Sequence, residues 1–361
     1  MKVLDSVRVL EIGGIGPGPF CAMHLADLGA DVVSIVRPEA EPAATSAASA
    51  LSRGKRSVFA DLKSPEGRDL VLALVRDADV LIEGMRPGTM ERLGLGPEAC
   101  QALNPRLVYG RMTGWGQDGP LAQAAGHDNN YAAVSGALWG CSPADARPVS
   151  PFATLGDIGG GAMYLMTGLL AGIVQARATG RGTVVDAAIV DGAAHMLNLM
   201  LHARQRGLVA DERGHSIHDS APFYETYACA DGGFITVGAI EPQFHALLLD
   251  RLGLAGAAAF QGPQWDRAAW PERPRAAAGA ASPHGPARTG SNCWRAAMPA
   301  SAPCSALWKP PATRTCRRVA SICSPKAAPC RPAPHRALTV RPMRRVLQMP
   351  QAPTPPACGR R

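Results

Sequence analysis

Val7-Arg8-Val9-Leu10-Glu11-Ile12-Gly13-Gly14-Ile15-Gly16-Pro17-Gly18-Pro19 decides the fold. A largely apolar run ends on a glycine-rich turn, the pattern by which a buried strand passes into a helix. A helix over about Pro19 to Leu28 follows, and Asp31 to Val36 reads as a second strand. The turn departs from the dinucleotide-binding G-x-G-x-x-G pattern, because Pro19 and Cys21 stand where a third glycine would fall. A plain tight turn or a backbone-lined ligand wall fits it as well as a phosphate loop does.

Outward from this unit the alternation continues. Ser64 to Asp77 predicts a helix, with Ser64 as cap and Pro65 in its first turn. Asp79–Glu83, Arg106–Met112 and Thr183–Val190 predict strands, and Gly192–Arg206 a helix. Strands alternating with helices imply an α/β fold with a parallel sheet. Residues 207–221 turn polar and suit a linker. A smaller α+β module begins at Pro222, with a hairpin-like stretch from Tyr227 to Val237 and a helix over Pro242–Leu252. The expected division is 1–206, 207–221 and 222–272, followed by a tail over 273–361.

That tail is unlike the rest. Residues 1–272 hold all 29 acidic residues and 21 of the 37 Lys and Arg, whereas residues 273–361 hold 16 Lys and Arg and no acid. The tail also carries 16 of the 32 prolines and six of the ten cysteines. A basic nucleic-acid arm, a disordered linker and the product of a shifted reading frame are the candidate explanations. Two tryptophans, six cysteines and only two lysines in the tail favour the shifted frame, since natural disordered segments are poor in aromatic residues. Neither nucleic acid nor a membrane is an expected partner. The uncharged run Ile158–Ala176 approaches spanning length, but its three leading glycines and Gln175 fit a buried core helix better. The four cysteines of the body show no metal-type spacing, and the start leads directly toward a strand, so a cytoplasmic, reducing setting is expected.

Chemistry concentrates at Leu155-Gly156-Asp157-Ile158-Gly159-Gly160-Gly161. A lone carboxylate there could cap the following helix, or act as base or nucleophile beside free backbone amides. The glycines would let a substrate approach the backbone. Gly126-His127-Asp128 sets an imidazole beside an acid, and histidine is the usual proton carrier near neutral pH. Glu241 ends a strand before a helix. Arg37, Arg86 and Arg92 follow predicted strands or open a helix, where ligands of open α/β sheets bind. No Ser-His-Asp elbow, phosphate loop or metal cluster is evident.

Taken in order, these segments resemble CoA-transferase family III (CaiB/BaiF), and within it the alpha-methylacyl-CoA racemase branch. The resemblance runs from about residue 5 to 272. It rests on Gly14-Ile15-Gly16-Pro17-Gly18-Pro19, Asp27-Leu28-Gly29-Ala30-Asp31, Asp61-Leu62-Lys63, Arg86-Pro87-Gly88, Glu91-Arg92-Leu93-Gly94, Arg111-Met112-Thr113-Gly114-Trp115-Gly116-Gln117, Ala125-Gly126-His127-Asp128, Gly156-Asp157 and Gly238-Ala239-Ile240-Glu241-Pro242. It implies a Rossmann-like large domain, a small domain and two interlocked chains, with the active site between the large domain of one and the small domain of the other.

It further implies an acyl-CoA thioester substrate and no other cofactor. His127 and Asp157 fall on the acid/base pair, and Glu241 on the carboxylate that orients the histidine. Ile15, Arg37, Leu62, Lys63, Arg86, Arg92 and Gly126 fall where the CoA moiety is received. The implied reaction is epimerisation of 2-methylacyl-CoA, with amides at the Asp157 helix start as donors to the enolate. Two alternatives stand beside it. One is a CoA transferase using Asp157 as nucleophile, which the Gly-His-Asp signature disfavours. The other is an inactive product of a frameshifted gene. Ala153 stands where racemases of the family carry an asparagine that bonds the aspartate.

Overall fold

The computed structural model describes residues 2–37, 49–228, 234–273 and the backbone of 301–303. All of them fall in one compact unit. Strands β1 (Arg8–Ile12), β2 (Asp31–Val36), β3 (Lys55–Phe59), β4 (Val80–Glu83), β5 (Val108–Thr113) and β6 (Val184–Ala188) form a parallel sheet in the order β3-β2-β1-β4-β5-β6. The chain order reverses between β1 and β4, which opens a crevice at the carboxyl ends of those two strands.

Period-two alternation gives the sheet two buried faces. Val9, Val32, Val80 and Val108 pack on one side with Leu25, Leu165 and Leu169. Leu10, Ile12, Ile35, Leu81 and Tyr109 pack on the other with Val71 and Val75. Helix α1 (Pro17–Asp27) serves the first layer and α2 (Pro65–Val75) the second. Ser64 caps α2 as expected, its Oγ accepting the Gly67 amide at 3.0 Å. Two short helices, α3 (Thr89–Arg92) and α4 (Pro97–Leu103), precede β5.

Strand β3 was not legible in the sequence, because an edge strand reading Lys-Arg-Ser-Val-Phe lacks an apolar run. Its Lys55 is nonetheless buried. The ammonium meets Glu11 of β1 at 2.7 Å and the Pro19 carbonyl at 2.9 Å, which ties the start of α1 to the sheet.

Helix α5 (Asp128–Val134) follows the loop after β5. Thr154–Ala162 then forms a π-helical segment continuous with α6 (Met163–Thr179). This is the one helix among the described residues long and apolar enough to cross a membrane. Leu165, Leu169, Ile173 and Ala176 lie in the core and α6 packs on β5 and β6, as a core helix does. The expected strand over 183–190 stops at Ala188. The expected helix over 192–206 is two helices, α7 (Ile189–Met196) and α8 (Asn198–Gln205), split where the Leu197 amide makes a tighter turn onto Ala194.

The polar stretch 207–221 is more ordered than a linker. It contains α9 (Ile217–Ser220), with Ile217 and Ala221 buried. Beyond it, β7 (Tyr224–Ala228) and β8 (Phe234–Gly238) pair antiparallel, and α10 (Pro242–Arg251) closes a small core around Phe223, Val237, Leu248 and Trp270. The turn of this hairpin lies outside the described residues. Arg273 continues the fold past Glu272: it is buried and donates to the carbonyls of Ala259, Pro263 and Gln264. Three residues of the expected tail, Ser301–Pro303, add a strand, β9, to the free edge of β8. The rest of the tail lies outside the described residues.

Candidate active site

The site grows from two adjoining turns. His127 is the N-cap of α5, and its amide donates to Asn130 Oδ1 at 3.0 Å, which fixes the start of that helix. Asp128, the first residue of α5, is buried. Its Oδ1 accepts the amides of both Gly156 and Asp157 at 2.8 Å, and its Oδ2 accepts Ser150 Oγ at 2.6 Å. Gly156 is required by this clamp, since a Cβ there would lie 2.7 Å from Asp128 Oδ1. The turn bearing His127 is thus tied directly to the segment bearing Asp157.

Asp157 is half-buried in the π-helical segment, and its Oδ2 lies 3.6 Å from where a side chain at Gly16 would begin. The glycine turn after β1 therefore faces this carboxyl. Burial pushes the Asp157 pKa up, the neighbouring Asp128 anion adds to the rise, and His127 opposes it. Tyr131, one turn into α5, is raised by burial and by the charge of Asp157. Its ring packs edge-on against Trp115 with centroids 4.7 Å apart.

Two expectations change here. The Asp157 and Gly156 amides are not free at a helix start; Asp128 already occupies both. The glycines after Asp157 serve packing rather than substrate approach. A Cβ at Gly160 would lie 2.6 Å from the Ala193 amide nitrogen and 2.8 Å from the Ile189 carbonyl, so α7 rests directly on this backbone. Gly126 likewise makes room for Tyr131, whose ring would lie 2.6 Å from a Cβ there.

Ile15, Arg37, Leu62, Lys63 and Arg86 lie just after the carboxyl ends of β1 to β4, all on one rim of the sheet, and Arg92 closes α3 beside it. Ile15 is 96% exposed, and Leu62 packs partly on the second core layer. Arg37, Lys63 and Arg86 are exposed with no side-chain partner among the described residues, while Arg92 donates to Thr89 Oγ1 at 3.0 Å. A group that was not legible in the sequence supports this rim. Arg111 of β5 pairs with Glu91 of α3 and bonds Gln117 Oε1 at 2.6 Å. Buried Glu83, at the end of β4, accepts the Met85 amide at 2.7 Å and so bends the loop that carries Arg86. Burial pushes the Glu83 carboxyl up to about 7.

Glu241 is the expected residue that does not join. It is the exposed N-cap of α10, and no hydrogen bond or ion pair links it to His127 within this chain. An open groove of about 520 Å³ lies beside Leu155, lined by Trp139, Met196, Met200 and Leu201. Among the described residues there is no group of three or more His, Cys, Asp or Glu placed to hold a metal ion.

The family model of CoA-transferase family III matches residues 4–284. The chain belongs to this family. It is 43% identical over 271 residues to alpha-methylacyl-CoA racemase of Mus musculus, covering 75% of this chain and 69% of the relative. It is 44% identical over 252 residues to alpha-methylacyl-CoA racemase of Homo sapiens, covering 70% of this chain and 65% of the relative. The chain therefore matches about two thirds of the length of these curated relatives. A solved CAIB/BAIF family protein from Brucella suis superposes with a TM-score of 0.72 at 26% identity, covering 85% of each chain.

Proposed function

We propose that this family III chain epimerises the carbon next to the carbonyl of a 2-methylacyl-CoA thioester. The observation that carries the reading is the Asp128 clamp, which ties the turn bearing His127 to the segment bearing the half-buried Asp157 carboxyl, beside the glycine turn after β1. One of the two, His127 or Asp157, removes the α-proton. The C–H electron pair moves into an enolate, and the other group delivers a proton to the opposite face. The raised proton affinity of Asp157 suits a group that must accept and return a proton near neutrality.

Donors to the enolate oxygen are the first-turn amides of Asp128 and Asn129, beside His127, which have no acceptor among the described residues. The CoA moiety lies along the rim of Ile15, Arg37, Leu62, Lys63, Arg86 and Arg92, and the acyl chain in the groove beside Leu155. Apart from the CoA of the substrate, no cofactor takes part. Glu241 orients His127 from a second copy of the chain, so the working form is a homodimer of the cytoplasm.

Transfer of CoA through an anhydride on Asp157 is the competing reading. His127 favours epimerisation, because nucleophilic attack by a carboxylate gives a partner imidazole no necessary role. Incubation with a 2-methylacyl-CoA in deuterated water tests it. Epimerisation incorporates deuterium at the α-carbon without an acceptor acid; CoA transfer that needs an acceptor and leaves the α-hydrogen in place refutes it.

A further inference from the structure

The sequence leaves Asp157 without the asparagine that racemases of this family place four residues earlier, since Ala153 occupies that position. Phe152 and Ala153 both take left-handed backbone angles, φ +42° and +52°, so the chain enters the π-helical segment through two strained residues. The Ala153 carbonyl accepts only the Ile158 amide, at 3.2 Å. Neither contact restrains the peptide on the amino side of Asp157. Asp128 does so from the other element.

Building on the epimerase reading, we propose that Asp128 is a positioning residue for the proton transfer, holding the Gly156–Asp157 peptide in register with His127. Three features support it. The carboxylate is 7% exposed, and its side-chain hydrogen bonds among the described residues all go to this one neighbourhood: two amides and the Ser150 hydroxyl. A carboxylate that accepts from charge-neutral donors at 2.6–2.8 Å holds them more firmly than a neutral acceptor does. It also sits beside His127 in the chain, so one helical turn fixes both proton carriers.

The charge matters as well as the geometry. The titratable groups around Asp157 are His127, Asp128 and Tyr131 of the α5 turn; the glycine turn after β1 offers none. Of these, Asp128 is the group that raises the proton affinity of Asp157 through its charge.

Asp128→Asn keeps an oxygen for the two amides and removes the charge, whereas Asp128→Ala removes both. The expected result is that D128N lowers the midpoint at which the Asp157 carboxyl carbon titrates by NMR in the full chain, and moves the acidic limb of kcat to lower pH. D128A is expected to lose about 10–100-fold in kcat with KM little changed, and Ser150→Ala a smaller factor. Equal losses in D128N and D128A with an unmoved Asp157 midpoint would reduce Asp128 to a structural residue and overturn the proposal. A wild-type chain without α-exchange would refute the epimerase reading separately. The NMR midpoint would still decide whether Asp128 governs Asp157.

Discussion

The His127–Asp157 half of the proposed site and the Glu241 half are built differently. The first is assembled within one chain: a cap, a buried carboxylate clamp and a glycine that admits it, all linked by hydrogen bonds of 2.6–3.0 Å. The second is an exposed carboxyl at a helix start, without a side-chain partner among the described residues. The contrast separates what a single chain sets up for itself from what, on the proposed reading, a second copy would supply.

The largest expected effect breaks the preassembled half. Asp157→Asn is expected to cost about 10²–10⁴-fold in α-proton exchange, the range typical for removal of an acid/base group, measured with thermal melting unchanged. Retained exchange would remove Asp157 from the chemistry. Next comes the packing under it. Gly160→Ala drives a methyl to within 2.6 Å of the Ala193 backbone. It should destabilise the chain by on the order of 1–3 kcal/mol in denaturant unfolding, as overpacked sites do. An unchanged midpoint would mean that α7 is free to move away.

Glu241 sharpens the comparison. Glu241→Gln alone is expected to slow exchange by about tenfold, through loss of an ionic partner that orients the histidine. Mixing D157N and E241Q chains under conditions that allow subunit exchange is expected to restore activity, because each mixed dimer then holds one intact site. Mixtures no more active than the sum of the separate variants would mean that Glu241 serves its own chain or none.

An effect of a different kind, on stability against pH, lies under the rim. Glu83 has its folded-state pKa raised to about 7 from 4.5, so the folded state holds a proton that the unfolded state releases in between. Its contribution is favourable below the unfolded value and is lost as pH rises through the folded one. Glu83→Gln should therefore leave stability unchanged near pH 4. By pH 8 it should gain up to roughly 3 kcal/mol over wild type, a difference readable by chemical denaturation. A constant difference across that range would contradict the assignment.

The alternating grammar of β1, α1, β2, α2, β4 and β5 was readable because each buries an apolar face with the period of its own geometry. Strand β3 was not, because its edge position leaves Lys55 and Arg56 in the pattern. Nor was β9, whose pairing with β8 depends on a partner more than sixty residues away. Of the proposed site residues, His127, Asp157 and Glu241 stood out by residue type and order. Asp128 did not, because its role arises from two amides 28 and 29 residues downstream. One signal for it was present: an acid at the first position of a helix, beside a histidine and matched later by Gly-Asp. The Arg111–Glu91–Gln117 group escaped for the same reason, being joined across β5, α3 and a loop.

The most direct test of two proton carriers on one carbon starts from a single pure epimer of a 2-methylacyl-CoA in deuterated water. Early in the reaction the deuterium content of substrate and product epimers is measured separately. A two-base site built from His127 and Asp157 predicts deuterium in the product epimer while the remaining substrate keeps its α-hydrogen. A product epimer that retains the original hydrogen, or no interconversion at all, would contradict the account.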